Sequence, residues 1–111
     1  MELSHTSHKN SEVVKITGRI DTATSDQLEK LLKEIQAGGR FNIVLDMAGV
    51  EFMSSRGFWV LVEAQKAAKK DKRGALVLAA VPEKIKESLE LVGMSEYFKV
   101  FDDVVGAVGS F

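Results

Sequence analysis

Two adjacent serines stand where an apolar run changes into a helical pattern, in the stretch LDMAGVEFMSSRGFWVLVEAQ from Leu45 to Gln65. A serine at the start of a helix is exposed, and its hydroxyl accepts a hydrogen bond from a backbone N–H of the first turn. A phosphate on such a hydroxyl brings close to two negative charges to the positive end of the helix dipole. We therefore expect Ser54 or Ser55 to cap the helix, and this turn is a candidate phosphorylation switch.

Groups for catalysis or metal binding are scarce in the rest of the chain. Cysteine is absent, and the two histidines, His5 and His8, lie in a polar N-terminal segment. We interpret that segment as a solvated tail rather than a metal site. No glycine-rich phosphate loop is present, and no Gly-x-Ser-x-Gly motif surrounds the serines. The sequence therefore predicts a protein that is not an enzyme and that needs no metal or cofactor.

The charges of the chain are balanced. Lysine and arginine total 15 and aspartate and glutamate total 16, for a net charge of −1. This balance gives no general attraction for nucleic acid or an anionic membrane, and the run KAAKKDKR is interpreted as the solvated end of a helix. No apolar run is long enough to span a bilayer, and the N-terminus lacks a signal-peptide pattern. We expect a cytoplasmic protein, monomeric or weakly dimeric, whose partner is another protein.

Strand and helix patterns alternate along the chain. Four runs have strand patterns, namely VVKITGRI, FNIVLDM, GALVLAAV and YFKVF, and GALVLAAV is apolar throughout, as in a strand that is buried on both faces. Helices are predicted from Thr24 or Ser25, from Ser55 to Asp71, from Pro82, and after Asp102-Asp103. This order predicts one α/β domain over residues 1–111, in which residues 1–10 are either mobile or an edge strand.

Two of the predicted helices have simple amphipathic stripes. In the first helix the stripe has helical i, i+3, i+4 and i+7 spacing, Thr24 or Ser25 is the expected cap, and Gly38-Gly39 is the expected end. In the helix after Pro82 a similar stripe is predicted to face inward. The inward residues are Leu28, Leu31, Leu32 and Ile35 in the first helix, and Ile85, Leu89 and Val92 in the later one.

The helix after the serines has an apolar group on its polar side. At about 100° per residue, the arc predicted to face the core contains Val60, Leu61, Ala64, Ala67 and Ala68. Phe58, Trp59 and Val62 fall outside that arc, among charged residues. Large apolar side chains at such positions are typical anchors of a protein interface. The alternative is that Phe58 leans onto the sheet and Trp59 is a lone exposed aromatic residue.

Nearly the whole chain resembles the STAS domain of bacterial anti-sigma factor antagonists. The resemblance rests on GRID (Gly18 to Asp21), the strand IVLDMAGVEFM, the serine turn with its helix, and the late segment IKESLELVGMSEYFKVF. It implies a four- or five-stranded mixed sheet with about four helices packed largely on one side. It also implies a protein that binds a serine-kinase anti-sigma factor and so releases a sigma factor, until its own serine is phosphorylated.

The family's serine turn usually reads Phe-Met-Asp-Ser-Ser-Gly-Leu-Gly, and here the same places hold FMSSRGFW. The resemblance therefore implies Ser55 as the phosphorylated residue, with Ser54 as the alternative. Ser54 replaces the family's Asp, Arg56 replaces its second serine, and Trp59 replaces a small residue. The expected partner-binding residues are Asp21, Ser54, Arg56, Gly57, Phe58, Trp59 and Val62.

The altered turn leaves a second function open. STAS domains also serve as binding modules in stress-signalling assemblies and as partners of lipid-transport ATPases, without regulation by phosphorylation. The loss of the acidic residue beside the switch, at Ser54, is compatible with that role.

Overall fold

The computed structural model describes all 111 residues. The strands are β1 (Glu2–Ser7), β2 (Glu12–Ile20), β3 (Ile43–Met53), β4 (Leu76–Ala79) and β5 (Val100–Phe101). The helices are α1 (Thr22–Ala37), α2 (Ser55–Lys69), α3 (Glu83–Leu91) and α4 (Val104–Gly109). A short 3₁₀ turn, Lys70–Lys72, follows α2.

The five strands form one mixed sheet in the order β1-β2-β3-β4-β5. β1 is antiparallel to β2, and the remaining pairs are parallel. Each parallel connection moves one strand in the same direction, so connections of one hand place α1, α2 and α3 on one face of the sheet. The predicted fold class, a four- or five-stranded mixed sheet with about four helices largely on one side, is confirmed.

The sheet has a core on each face, because side chains alternate along a strand. Leu76 and Leu78 of β4 belong to the large core under α1, α2 and α3. Val77 and Ala79 belong to a smaller core with Ala107 of α4 on the opposite face. All four residues of β4 are buried, so the prediction of a strand covered on both faces is confirmed.

α1 begins differently from the prediction. Its N-cap is Asp21, whose Oδ1 accepts a hydrogen bond of 2.9 Å from the Thr24 N–H, while Thr24 Oγ1 accepts one of 2.9 Å from the Asp21 N–H. This reciprocal pair is a capping box, so the prediction of Thr24 or Ser25 as the cap is wrong. The end is as predicted: Gly39 has φ +89°, and the Arg40 N–H bonds back to the Ile35 carbonyl.

The inward stripes are correct except at two residues. Leu28, Leu32 and Ile35 are buried in α1, but Leu31 is only partly buried, because it lies beside Ser7 and Glu12 near the edge of the sheet. In the later helix Ile85 and Leu89 are buried, whereas Val92 is exposed. α3 ends at Leu91, so the helical spacing that would carry Val92 inward has already stopped.

The N-terminal residues form the edge strand β1. His5 Nδ1 lies 2.5 Å from Glu12 Oε2, and the Ser7 hydroxyl donates to Glu12 Oε1 at 2.7 Å. Arg40 Nε lies 3.7 Å from the same carboxylate. The interpretation of His5 as part of a solvated tail is therefore wrong, because its ring bridges β1 to the start of β2.

Candidate functional site

The serine turn lies at the carboxyl end of β3, and its two serines have different structural positions. The Ser54 N–H donates to the Ile20 carbonyl at 2.8 Å, which ties the turn to the end of β2. Ser54 is the N-cap of α2, with φ −78° and ψ 167°, and its Oγ accepts from the Gly57 N–H at 3.2 Å. Ser55 is the exposed first residue of α2, and its hydroxyl takes no part in the cap.

Asp21 lies beside this turn. Ile20 and Met53 are register partners at the carboxyl ends of the neighbouring strands β2 and β3. The residues that follow them, Asp21 and Ser54, are therefore adjacent at that end of the sheet. Each of the two is the N-cap of the next helix. The backbone hydrogen bond from Thr24, and then the bond to the Thr24 side chain, lower the pKa of Asp21 below its ordinary value. Asp21 is therefore an anionic cap next to the serines.

Gly57 allows α2 to pack closely on the strand ends. A Cβ atom at this position would lie 2.9 Å from Ile20 Cγ2 and 3.0 Å from Met53 Cγ. Contacts this short require the neighbouring side chains to move. The residue is thus required by packing, and it is buried beneath the exposed serine.

Arg56 is held within the chain. Its Nη2 donates to Asp26 Oδ1 at 3.1 Å and to Glu29 Oε1 at 3.2 Å, both on α1. The hydrogen bond to Asp26 and the charge of Glu29 raise the pKa of Arg56. The guanidinium therefore joins α2 to α1 instead of standing free beside Ser55.

Phe58 and Val62 do not lie on an exposed face. They are 5% and 6% exposed and belong to the large core, so the prediction that their side chains project away from it is wrong. α2 connects β3 to β4 and is the middle one of the three helices on its face of the sheet. It is therefore covered on both flanks as well as on the side that faces the sheet. Ala67, predicted inward, is half-buried.

Trp59 is the large apolar residue that α2 does expose, at 52%. It follows Ser55 by four residues, so the two side chains share one face of the helix. Helical side chains generally lean toward the N-terminus of their helix, so we expect the Trp59 indole to lean toward Ser55. The exposed surface at the start of α2 therefore carries a serine hydroxyl and, one helical turn later, an aromatic residue.

A second exposed aromatic residue was not found from the sequence. Phe52, 39% exposed, is the register partner of Arg19, whose guanidinium lies 4.3 Å from the Phe52 ring centroid. The pair lies next to Asp21 and Ser54 along β2 and β3. The sequence signal for this exposed aromatic residue is a large apolar side chain two positions before Ser54.

Gln65 of α2 is another residue whose role was not predicted. Its side chain is buried; the amide Oε1 accepts from the Leu76 N–H at 2.7 Å, and Nε2 donates to the Tyr97 carbonyl at 3.1 Å. These bonds fix α2 to β4 and to the segment before β5. The rigid placement of α2 supports the serine turn at its start.

Two further findings concern metal binding and membrane-spanning helices. The chain contains no group of three or more His, Asp or Glu side chains arranged to hold a metal ion. None of its helices combines the length and apolar character that crossing a membrane requires.

The chain is similar to known proteins in both sequence and structure. A model of the STAS domain family matches residues 4–107. The anti-sigma-F factor antagonist RsfB of Mycobacterium tuberculosis is 28% identical over 102 residues, which are 91% of this chain and 81% of that protein. The structure of an anti-sigma factor antagonist from Mycobacterium paratuberculosis has a TM-score of 0.87 at 23% identity, covering 98% of this chain and 92% of that one. The phosphorylated form of the Bacillus cell fate determinant SpoIIAA has a TM-score of 0.77 at 12% identity, with 98% of each chain covered.

Proposed function

This chain belongs to the STAS domain family, and we propose that it acts as an anti-sigma factor antagonist. In this proposal, the unphosphorylated protein binds a serine-kinase anti-sigma factor in the cytoplasm and thereby frees a sigma factor. Phosphorylation of Ser55 by that kinase ends the binding. The observation that carries the proposal is the exposed Ser55 at the start of α2, with the half-exposed Trp59 one turn later. The relative RsfB, named as an anti-sigma-F factor antagonist, supports the class of partner.

The chemistry of the turn suits a switch that leaves the fold intact. Ser54 provides the helix cap, so a phosphate on Ser55 removes no hydrogen bond of the cap. The phosphate adds close to two negative charges beside an aromatic contact surface, and those charges resist desolvation in an interface. A docked partner is therefore repelled while the domain stays folded.

The contact surface follows from exposure. Trp59 is the proposed anchor, and Asp21 and Ser54 form the polar part of the surface around Ser55, while Arg56, predicted to bind the partner, is instead paired with Asp26 and Glu29 of α1. Gly57, Phe58 and Val62 lie beneath it and support it, because all three are buried. The protein in this proposal has no catalytic activity, since its role is to occupy the kinase in a stoichiometric complex.

A second function is favoured by one feature of the turn. Ser54 and Arg56 stand where the resemblance implies an acidic residue and a serine. With that altered turn, the same Trp59 surface would bind a partner in a stress-signalling assembly or a lipid-transport ATPase without a phosphate switch. The two functions differ in whether Ser55 is ever modified.

The test uses the purified protein with purified serine-kinase anti-sigma factors of the source organism and ATP. We expect mass mapping to place one phosphate on Ser55, in wild type and in Ser54→Ala, and none in Ser55→Ala. Phosphorylation should weaken partner binding at least about tenfold, equivalent to about 1.4 kcal/mol. Binding without modification of either serine would favour the second function. Absence of binding to every such kinase would contradict the first.

A further inference from the structure

The first turn of α2 is poorly stabilised by its own sequence. It contains Gly57, and a glycine inside a helix costs roughly 1 kcal/mol relative to alanine. It contains no acidic residue, and Arg56 places a positive charge at the positive end of the helix dipole, which is unfavourable. The side chain of Ser54 satisfies one N–H of the turn, that of Gly57. A turn of this composition frays unless other parts of the structure hold it.

Contacts on both flanks hold this turn in place. On the flank toward the core, Phe58 is buried. On the flank toward α1, Arg56 Nη2 is shared between Asp26 and Glu29, at 3.1 and 3.2 Å. The Glu29 carboxylate is a quarter exposed and also lies 3.9 Å from Lys33 Nζ, so the guanidinium contacts a partly buried acidic group. We call the three residues Arg56, Asp26 and Glu29 the clamp.

The clamp directs Arg56 away from the serine hydroxyl. Successive residues of a helix are separated by about 100°, so neighbours do not face each other. Arg56 extends to α1, and Ser55 projects to solvent on the face that carries Trp59. The charge of Arg56 is neutralised within the chain, and a docking kinase meets the serine without a free cation beside it.

We propose that Arg56 is a positioning residue for the phosphorylation of Ser55: the clamp fixes the turn from which the Ser55 hydroxyl projects. This inference rests on the proposed function. In the reaction, Ser55 Oγ attacks the γ-phosphorus of ATP, the bond from that phosphorus to the β–γ bridging oxygen breaks, and ADP leaves. The hydroxyl proton passes to a base of the kinase. A fixed backbone keeps Oγ in line for the attack, and small misplacements of a reacting atom cost rate.

The first experiment needs no partner. Hydrogen exchange is measured at the amides of Phe58, Trp59 and Val60 in wild type, Arg56→Ala and the double variant Asp26→Asn/Glu29→Gln. The Phe58 N–H donates to the Ser54 carbonyl at 3.1 Å and reports opening of the first turn. We expect exchange at least about threefold faster in both variants, and no further increase when they are combined. Lys30→Ala, an exposed α1 residue outside the clamp, is the matched control. Unchanged exchange in Arg56→Ala would overturn the clamp.

The second experiment separates positioning from recognition. With the kinase that phosphorylates wild type, we expect kcat to fall about tenfold in Arg56→Ala and in Asp26→Asn/Glu29→Gln, at unchanged KM, and to recover in part in Arg56→Lys. Direct recognition of Arg56 by the kinase predicts a raised KM in Arg56→Ala and wild-type kinetics in the double variant, and that outcome would overturn the proposal. If no kinase modifies wild-type Ser55, the proposed function fails, and the positioning role fails with it. The exchange experiment still decides whether the clamp holds the turn.

Discussion

At the residue scale, Ser54 and Ser55 illustrate how one step along the chain changes the chemistry of a hydroxyl. The extended backbone of Ser54 turns its Oγ over the first turn of α2, where it accepts from the Gly57 N–H. Ser55 has entered the helix, and its side chain points outward. Stability therefore depends on the first serine and regulation, as proposed, on the second.

This division of roles predicts that alanine variants of the two serines differ in stability and in phosphorylation. Ser54→Ala should lose about 1 kcal/mol of unfolding free energy, the usual cost of removing an N-cap hydroxyl. Ser55→Ala should change stability by less than about 0.5 kcal/mol, as expected at an exposed position, while it removes the phosphate acceptor. Urea denaturation of the two proteins measures both values. A larger loss for Ser55→Ala would show that the cap is assigned to the wrong serine.

Phe58 and Trp59 are also neighbours with different surroundings. Phe58→Ala should cost about 3–5 kcal/mol, because it empties a space in the core. Trp59→Ala should leave stability within about 0.5 kcal/mol and lower partner affinity at least about tenfold. Trp59 is the single tryptophan, so the fluorescence of the free protein should be that of an exposed indole and should shift to the blue on complex formation. A stability loss for Trp59→Ala as large as that for Phe58→Ala would mean that the indole belongs to the core.

At the element scale, burial along α1 depends on what lies below each residue. Leu28 and Leu32 pack on the large core, whereas Leu31 lies near the outer edge of the sheet, where β1 is the last strand. An amphipathic stripe identifies the face of a helix but not the width of the sheet under it. Residues of the same stripe therefore contribute different amounts to the stability of the fold.

The two leucines of α1 make this difference measurable. Leu32→Ala should cost about 2–5 kcal/mol, as for a fully buried leucine. Leu31→Ala should cost less, about 1 kcal/mol, since Leu31 is only partly buried. Chemical denaturation of both variants, fitted with the same m-value, measures the two losses of unfolding free energy. Equal losses would indicate that the edge of the sheet is as well packed as its centre.

The attachment of β1 should depend on pH through Glu12. Burial alone would raise the pKa of Glu12, but the hydrogen bonds from His5 and Ser7 and the charges of His5 and Arg40 lower it below its ordinary value of 4.5. A carboxyl with a lowered pKa in the folded state stabilises the fold above its unfolded pKa and loses that contribution as the pH falls through its folded pKa. The effect belongs to the acidic range, near and below pH 4.5.

The measurement compares the stability of wild type with that of Glu12→Gln from about pH 5 to about pH 3. The stability difference between the two proteins should be largest at the upper end and should shrink as the pH falls. A control, Glu34→Gln, alters an exposed carboxylate that faces the same surface depression as Glu12. A difference that is constant across the range, or that grows in acid, would contradict the role of Glu12.

At the scale of the whole molecule, the sheet topology creates the site. Because the strands are parallel and in sequential order, the starts of α1 and α2 lie at the same end of the sheet, the carboxyl ends of the parallel strands, where each helix begins. Asp21 and Ser54, separated by 32 intervening positions in the sequence, thus become neighbouring caps. Binding surfaces of open α/β sheets commonly lie at the carboxyl ends of the strands.

A domain of this kind should act by occupancy rather than turnover. Titrated into a complex of the proposed kinase partner with a sigma factor, the protein should release sigma factor in proportion to its own concentration, up to equimolar amounts. The phosphorylated protein should release little, and Ser55→Ala should remain active in the presence of ATP. Sedimentation or fluorescence anisotropy of labelled sigma factor follows the release. Release of a large excess of sigma factor by a trace of the protein would contradict the binding role.

The sequence alone determined the order of elements, the serine turn and the exposure of Trp59, because these depend on short-range patterns: alternation, helical spacing, caps and glycines. It also indicated a strand buried on both faces in GALVLAAV. The tertiary structure decided the rest. Phe58 and Val62 are buried because α2 is flanked on both sides, which widens its buried arc to about 200°. The Asp21 cap is a local feature, since its partner Thr24 follows three residues later. Residues 2–7 became an edge strand and Arg56 a link to α1, because each of these depends on a neighbour supplied by another part of the fold, which a local pattern does not specify.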